Sequence, residues 1–232
     1  MKQRILLLLF LGVAACSQGA KKTVDDRVAQ YGGGVQKRLA PAFTAAAIPY
    51  PPAKICLICL KQEGLLQLHA AGTNGQFRFI KSYPILAASG GPGPKLREGD
   101  RQVPEGLYRL ESLNPNSAFH LALRLNYPNE FDREKAKLDG RKNPGSDIMI
   151  HGNAVSIGCL AMGDPAAEEL FVLAARTGLR NVQVILCPVD LRRKPAPKPD
   201  SLTPPWVPQL YQQIRAELIP YEAEPAARPG GG

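Results

Sequence analysis

Aromatic residues are scarce in this chain: Phe, Tyr and Trp make up 6% of 232 residues, with one Trp. No basic stretch interleaved with aromatics is present, which leaves nucleic acid a poor partner despite an excess of basic over acidic residues (29 against 20, net +9). The apolar run near the N-terminus, Ile5 to Val13, falls short of the ~20 residues that span a bilayer. No internal repeat is visible. What is present is ordinary for a globular protein: 44% apolar and 21% charged residues set aside a disordered, collagen-like or coiled-coil chain. The length fits one substantial domain plus tails. With 22 Gly and 22 Pro, a turn-rich domain containing β-structure is favoured over a helical bundle.

The N-terminus points to a compartment. Lys2 and Arg4 precede the apolar run, and Val13-Ala14-Ala15-Cys16 closes it with small residues and a cysteine. This resembles a bacterial lipobox, which implies removal of residues 1–15 and a lipid on Cys16. Ala15 also fits the small-residue site of plain secretion, so both readings stand. Ser17 after the cysteine favours the outer over the inner membrane in the sorting rule for such lipoproteins. The expectation is an envelope protein on the periplasmic face, held to the membrane through Cys16, whose basic charge suits an anionic wall.

The rest divides at Pro52 and after residue 190. Residues 16–51 read as a polar tether (Ser17 to Gly34) and a short helix, Val35 to Ala47, ended by Pro49, Pro51 and Pro52. Within 52–190, Ile55 to Leu60 and Leu65 to His69 flank Lys61-Gln62-Glu63-Gly64 as a hairpin, with His69 a surface strand residue. Further strands are expected at Gln76 to Pro84, Ile85 to Ser89, Leu107 to Leu110, Phe119 to Leu125, Ile148 to Ile150 and Asn181 to Val189. Gly90 to Pro94 is a Gly/Pro loop with a charged continuation to Arg101. Asp132 to Lys142 is a surface loop or short helix. Pro165 to Ala175 has helical spacing, with Asp164 as N-cap. Residues 191–232 form a Pro/Lys-rich tail with one helix, Trp206 to Leu218, and a disordered end from Glu222. The fold class is therefore α+β, β-rich, with a few short helices.

Four cysteines remain besides Cys16. Cys56 and Cys59 form a C-x-x-C, but AKICLICLK reads as a strand, on which residues three apart face opposite sides. They and Cys187, in VQVILC, are read as buried apolar residues rather than a redox pair. Cys159 differs. In HGNAVSIGCLAMGD, His151 ends a strand and Cys159 follows eight residues later, just before a helix. An imidazole can take the thiol proton and leave the nucleophilic thiolate. The helix start would lower the thiol pKa further. Gly158 lets a substrate carbonyl approach the backbone, so the Gly158 and Cys159 amides could form an oxyanion hole.

His-Gly followed by Ser-x-Gly-Cys resembles the YkuD-type L,D-transpeptidase catalytic domain, and the compressed spacing resembles its YafK-like subgroup. GGPGPKLREGDRQVPEGLYRL and NPNSAFHLALRLNYPNEFDR fit the same subgroup in the same order, so the likeness covers about Pro52 to Val189. It implies Cys159 as nucleophile, His151 as general base, Gly158 and Cys159 as oxyanion amides, and Ser156 and Gly152 as residues shaping the site. Ile157 stands where the wider family has a second His, and no Arg follows two residues after Cys159. The implied chemistry is attack on the L-centre carbonyl of the third residue of a peptidoglycan stem peptide, expelling D-Ala. An amine then takes the thioester, or water does, in which case the enzyme is a hydrolase that could also release a wall-attached lipoprotein. A catalytically silent wall-binding lipoprotein is the reading from another class. Neither enzymatic route needs a metal or organic cofactor.

Other polar residues have a structural use beside a functional one. Lys95 and Arg101 could bind stem-peptide carboxylates or belong to a solvated loop. Tyr127 and Asn129 could line the cleft or serve the turn NYPN. His120 could touch substrate or be a hydrogen-bonded strand residue. Fatty-acid labelling of cells tests the lipobox. The expected outcome is label on the wild type and none on Cys16→Ala; an unlabelled wild type means simple secretion.

Overall fold

In a computed structural model of the chain, residues 20–223 are described. Cys16, the signal-like segment and most of the expected disordered end lie outside them. The centre is a mixed sheet of eight strands in the order β3-β2-β1-β8-β4-β5-β6-β7. In chain order these are β1 Lys54–Leu60, β2 Leu65–Ala71, β3 Phe77–Pro84, β4 Gly106–Ser117, β5 His120–Leu125, β6 Met149–His151, β7 Leu160–Ala161 and β8 Val182–Cys187. β1 and β8 pair in parallel, as do β6 and β7; the other neighbours are antiparallel. The apolar runs Ile55 to Leu60 of β1 and Val184 to Cys187 of β8 follow from their place in the middle of the sheet, covered on both faces. Edge strand β3 carries Arg78 and Lys81, charges that discourage edge-to-edge pairing. Ile85 to Ser89 is not a strand: it touches the sheet through one bridge, Ala87 to Ala161.

The helices depart most from expectation. The expected helix from Val35 begins earlier, so that residues 24–34 of the expected tether are helical too: α1 (Val24–Ala45) runs 22 residues straight through Gly32, Gly33 and Gly34. Those glycines cost about 1 kcal/mol each against Ala. Burying Val35, Leu39 and Phe43 on one stripe offsets this at roughly 1.5–3 kcal/mol per side chain. Thr23 and Asp26 close the N-terminus in a reciprocal capping box. α2 (Glu130–Leu138) resolves the loop-or-helix choice, again through a capping box, between Asn129 and Asp132. α3 (Asp164–Thr177) starts after Gly163, not at an Asp164 cap; the Asp164 carboxylate instead accepts from the Asn153 amide at 2.7 Å. α4 (Val207–Glu217) is the helix expected in the tail.

Alternation along β1 divides the core. Ile55, Leu57 and Cys59 face α1 and α3; Cys56, Ile58 and Leu60 face Trp206, Leu210, Tyr211 and Ile214. The globular unit therefore does not stop at residue 190, because α4 seals the second face of the sheet. Cys56 and Cys59 lie on opposite faces, unpaired, their thiols pushed up to about 12 by burial. Glu169 of α3 ties the first layer together, accepting from Arg38 of α1 and from Lys81 and Tyr83 of β3.

His69 is fully buried, not on the surface. It pairs with Cys56 and meets Phe79 and Tyr221 edge-on, with Nδ1 lacking any partner. Burial, then the Arg192 charge, lowers its pKa to about 3. An unfolded imidazole titrates near ~6.5, so below that the unfolded state binds the extra proton. Stability should fall as pH drops from about 6.5 towards 3, by at most about 1.4 kcal/mol per pH unit from this residue. His69→Leu should narrow the shift in denaturation midpoint between about pH 7 and about pH 4; an equal shift in the variant assigns the acid sensitivity elsewhere.

Candidate active site

β6 and β7 build the site. Ile150 pairs with Leu160 and His151 with Ala161, and both Ile150 and Leu160 are sunk in the core. Alternation turns His151 to the other side, and Cys159 directly precedes β7 in the chain. His151 is almost wholly buried, and its Nδ1 lies 2.6 Å from the Gly152 carbonyl oxygen. A carbonyl only accepts, so Nδ1 carries the proton and Nε2 keeps its lone pair. The Phe119 ring lies against the imidazole, centroids 4.8 Å apart. Gly152 permits this packing: a Cβ there would sit 2.6 Å from Asp164 Oδ1 and 2.8 Å from the Phe119 carbonyl oxygen.

The Cys159 thiol donates to the Asp147 carbonyl oxygen at 3.5 Å, not to His151. Burial raises its pKa, and the Asp147 charge adds to that; the Met149 amide and the Lys95 charge pull the other way and are outweighed. The lowering expected from a helix start does not prevail, since α3 begins only after β7. His151 and Cys159 thus flank one parallel strand pair, with the thiol bonded to the Asp147 carbonyl and the imidazole to the Gly152 carbonyl.

Both candidate oxyanion amides are occupied. Ser156 Oγ accepts from the Cys159 amide at 3.0 Å and donates to the Cys159 carbonyl at 2.8 Å. The Gly158 amide donates to Ser89 Oγ at 2.7 Å. Ser156 thus ties the loop to the Cys159 backbone. Ser89, Phe119 and the Asp147 carbonyl escaped the sequence reading. Only Ser89 had a visible signal, standing directly before the glycine-rich loop.

The other candidates sort by their hydrogen bonds. Lys95 is buried and paired with Asp100 at 2.7 Å, so it is no free carboxylate receptor, although its charge reaches Cys159. Tyr127 is buried and donates to the Pro144 carbonyl, closing a turn instead of lining a cleft. Asn129 caps α2 and donates to the Leu107 carbonyl. His120 bonds Glu168 at 3.2 Å and meets Tyr31 of α1 edge-on, the structural use. Arg101 keeps an exposed side chain, while its carbonyl accepts from Ser89.

This geometry coincides with a family assignment. Residues 68–185 match the model of the YkuD L,D-transpeptidase catalytic domain, and the chain belongs to that family. Over 133 residues it is 36% identical to the "Putative L,D-transpeptidase YafK" of Escherichia coli (strain K12), covering 55% of this chain and 51% of that one. The chain thus spans about half the length of the curated relatives it matches. Among solved structures it resembles the helical cell shape determining protein Pgp2 from Campylobacter jejuni (TM-score 0.47, 24% identity, 62% of this chain and 50% of that one). Bdellovibrio bacteriovorus Bd1075 aligns with a TM-score of 0.44 at 22% identity over 71% of this chain and 54% of that one. At these scores the backbone likeness adds nothing to the family match.

A half-buried thiol bonded to a carbonyl should behave as a weak acid. Alkylation of Cys159 by iodoacetamide is expected to keep rising with pH beyond the ordinary thiol range. A plateau already reached at neutral pH would show a thiolate–imidazolium pair in the resting protein.

Proposed function

We propose that this chain is a cysteine-dependent L,D-transpeptidase acting on peptidoglycan stem peptides, held in the cell envelope by a lipid on Cys16. What supports the reading is that His151 closes β6 with its Nδ1 spent on the Gly152 carbonyl, while a partly exposed Cys159 directly precedes β7, the parallel neighbour of β6. Family membership supplies the reaction class. Nε2 takes the Cys159 proton as the sulfur adds to the carbonyl of the third stem residue. The tetrahedral centre then expels the amine of D-Ala, which receives that proton, and a thioester remains. An acceptor amine breaks the thioester and restores the thiol, giving a link between two stems.

Hydrolysis is the second reading, and one observation favours it. The segment joining His151 to Cys159 is short, and its Val155 and Ile157 are 58% and 77% exposed, leaving that side of the site open to water. A transferase must hold the amine in attack geometry and keep water out. The same chemistry would let water cut a stem attached to a wall-bound lipoprotein.

Purified tetrapeptide muropeptides with excess acceptor amine, analysed by mass, test the proposal. Wild type is expected to release D-Ala and form the amine adduct. Cys159→Ser should give neither, and His151→Ala should be slower by about 10²–10⁴. Tripeptide alone means hydrolysis; no D-Ala release from wild type contradicts both readings.

A further inference from the structure

The Ser89 hydroxyl bridges two motifs, the one that ends in Cys159 and the glycine-rich stretch that contains Arg101, and belongs to neither. Its hydroxyl accepts from the Gly158 amide at 2.7 Å and donates to the Arg101 carbonyl at 2.7 Å. With its proton committed to Arg101, that hydroxyl cannot itself donate to a substrate oxygen. The Gly158 amide is therefore engaged by an acceptor from the protein in the place where an oxyanion would need it. The Cys159 amide is held differently, by Ser156 within the same short loop. Only the bond to Ser89 can be broken by moving a separate segment.

That segment is built to move in its middle. One end is fixed to β7: Leu86 donates to the Ala161 carbonyl, and the Ala161 amide donates to the Ala87 carbonyl. The other is clamped by the buried pair Lys61–Glu105, with Lys61 also donating to the Gly93 and Val103 carbonyls and Glu105 accepting from the Gly93 amide. Between Ala87 and Gly93, among the described residues, the only hydrogen bonds are those of the Ser89 hydroxyl. Gly90 and Gly93 have φ of +82° and +124°, conformations that only glycine adopts freely, so they can act as hinges. A cavity of about 280 Å³ lies against the segment, lined by Cys59, Ile85, Ala88, Val103 and Leu160 among others, and gives it room.

We propose that Ser89 is a positioning residue that withholds the Gly158 amide until an acyl donor displaces residues 88–92. This rests on Cys159 being the acylated nucleophile. As sulfur adds to the carbonyl carbon, the C=O π pair moves to oxygen, and the Gly158 N–H exchanges Ser89 Oγ for that oxygen. Acylation is thereby tied to a donor large enough to move the segment, while alkylation of the same sulfur, which develops no oxyanion, is not.

The test compares two reagents on the full chain. p-Nitrophenyl acetate acylates Cys159 through an oxyanion and releases p-nitrophenolate; iodoacetamide alkylates it by direct displacement of iodide. Ser89→Ala should raise the ratio of acylation to alkylation about two- to tenfold, the range corresponding to one net neutral hydrogen bond. Ser89→Thr, which keeps the hydroxyl, should retain the wild-type ratio, and circular dichroism checks that both variants fold. A ratio in Ser89→Ala that is unchanged or lower overturns the proposal, as does absence of acylation in every form while alkylation persists. Cys159→Ser should lose both reactions at this site; if the labelled site in wild type is another residue, it is the nucleophile assignment that fails.

Discussion

A single hydrogen bond decides what the site can do. The Gly152 carbonyl oxygen, 2.6 Å from His151 Nδ1, can only accept, so it fixes the imidazole as the tautomer with a bare Nε2. The neutral ring then offers Nε2 as a base, oriented by a backbone carbonyl and not by a charged partner. The bond requires the chain to turn sharply after β6, and the turn fits only because residue 152 has no side chain to strike Asp164 and Phe119. Phe119 completes the arrangement by covering the ring.

The scaffold explains why this geometry is held. β6 and β7 are short, but each sends one residue, Ile150 and Leu160, into the same core that α1 and α3 cover. Asp164, at the start of α3, reaches back to the Asn153 amide instead of capping its own helix, binding the loop after His151 to that helix. α3 is in turn fastened to α1 and β3 through Glu169. On the far face α4 closes the second core, so both faces of the sheet are covered. The cysteine end of the site is held more lightly, through the hydroxyls of Ser156 and Ser89.

Much of the fold was legible, because strands announce themselves by local pattern. The run ICLICL read as a strand, and alternation alone put Cys56 and Cys59 on opposite faces. The motif around His151 and Cys159 was legible as a short stretch with a His at a strand end, although Cys159 precedes the short strand β7 and not, as expected, a helix. What stayed hidden depended on contacts distant in the chain. The first half of α1 looked like a tether, because its polar residues and three glycines show none of the apolar stripe that Val35, Leu39 and Phe43 give the second half. His69 looked exposed because Tyr221, which covers it, is far along the chain. Tyr127 and Asn129 invited a cleft role, yet their polar atoms are spent on the Pro144 and Leu107 carbonyls and on capping α2. The raised Cys159 pKa was equally invisible, arising from burial that sequence spacing does not report.

Nitrogen-15 NMR of histidine-labelled protein at neutral pH examines the His151 tautomer directly. The chain has only three histidines, so substitution of His69 and His120 assigns the signals. The account predicts a protonated, pyrrole-like Nδ1 and an unprotonated, pyridine-like Nε2 for His151. A proton on Nε2 in the resting protein would contradict it.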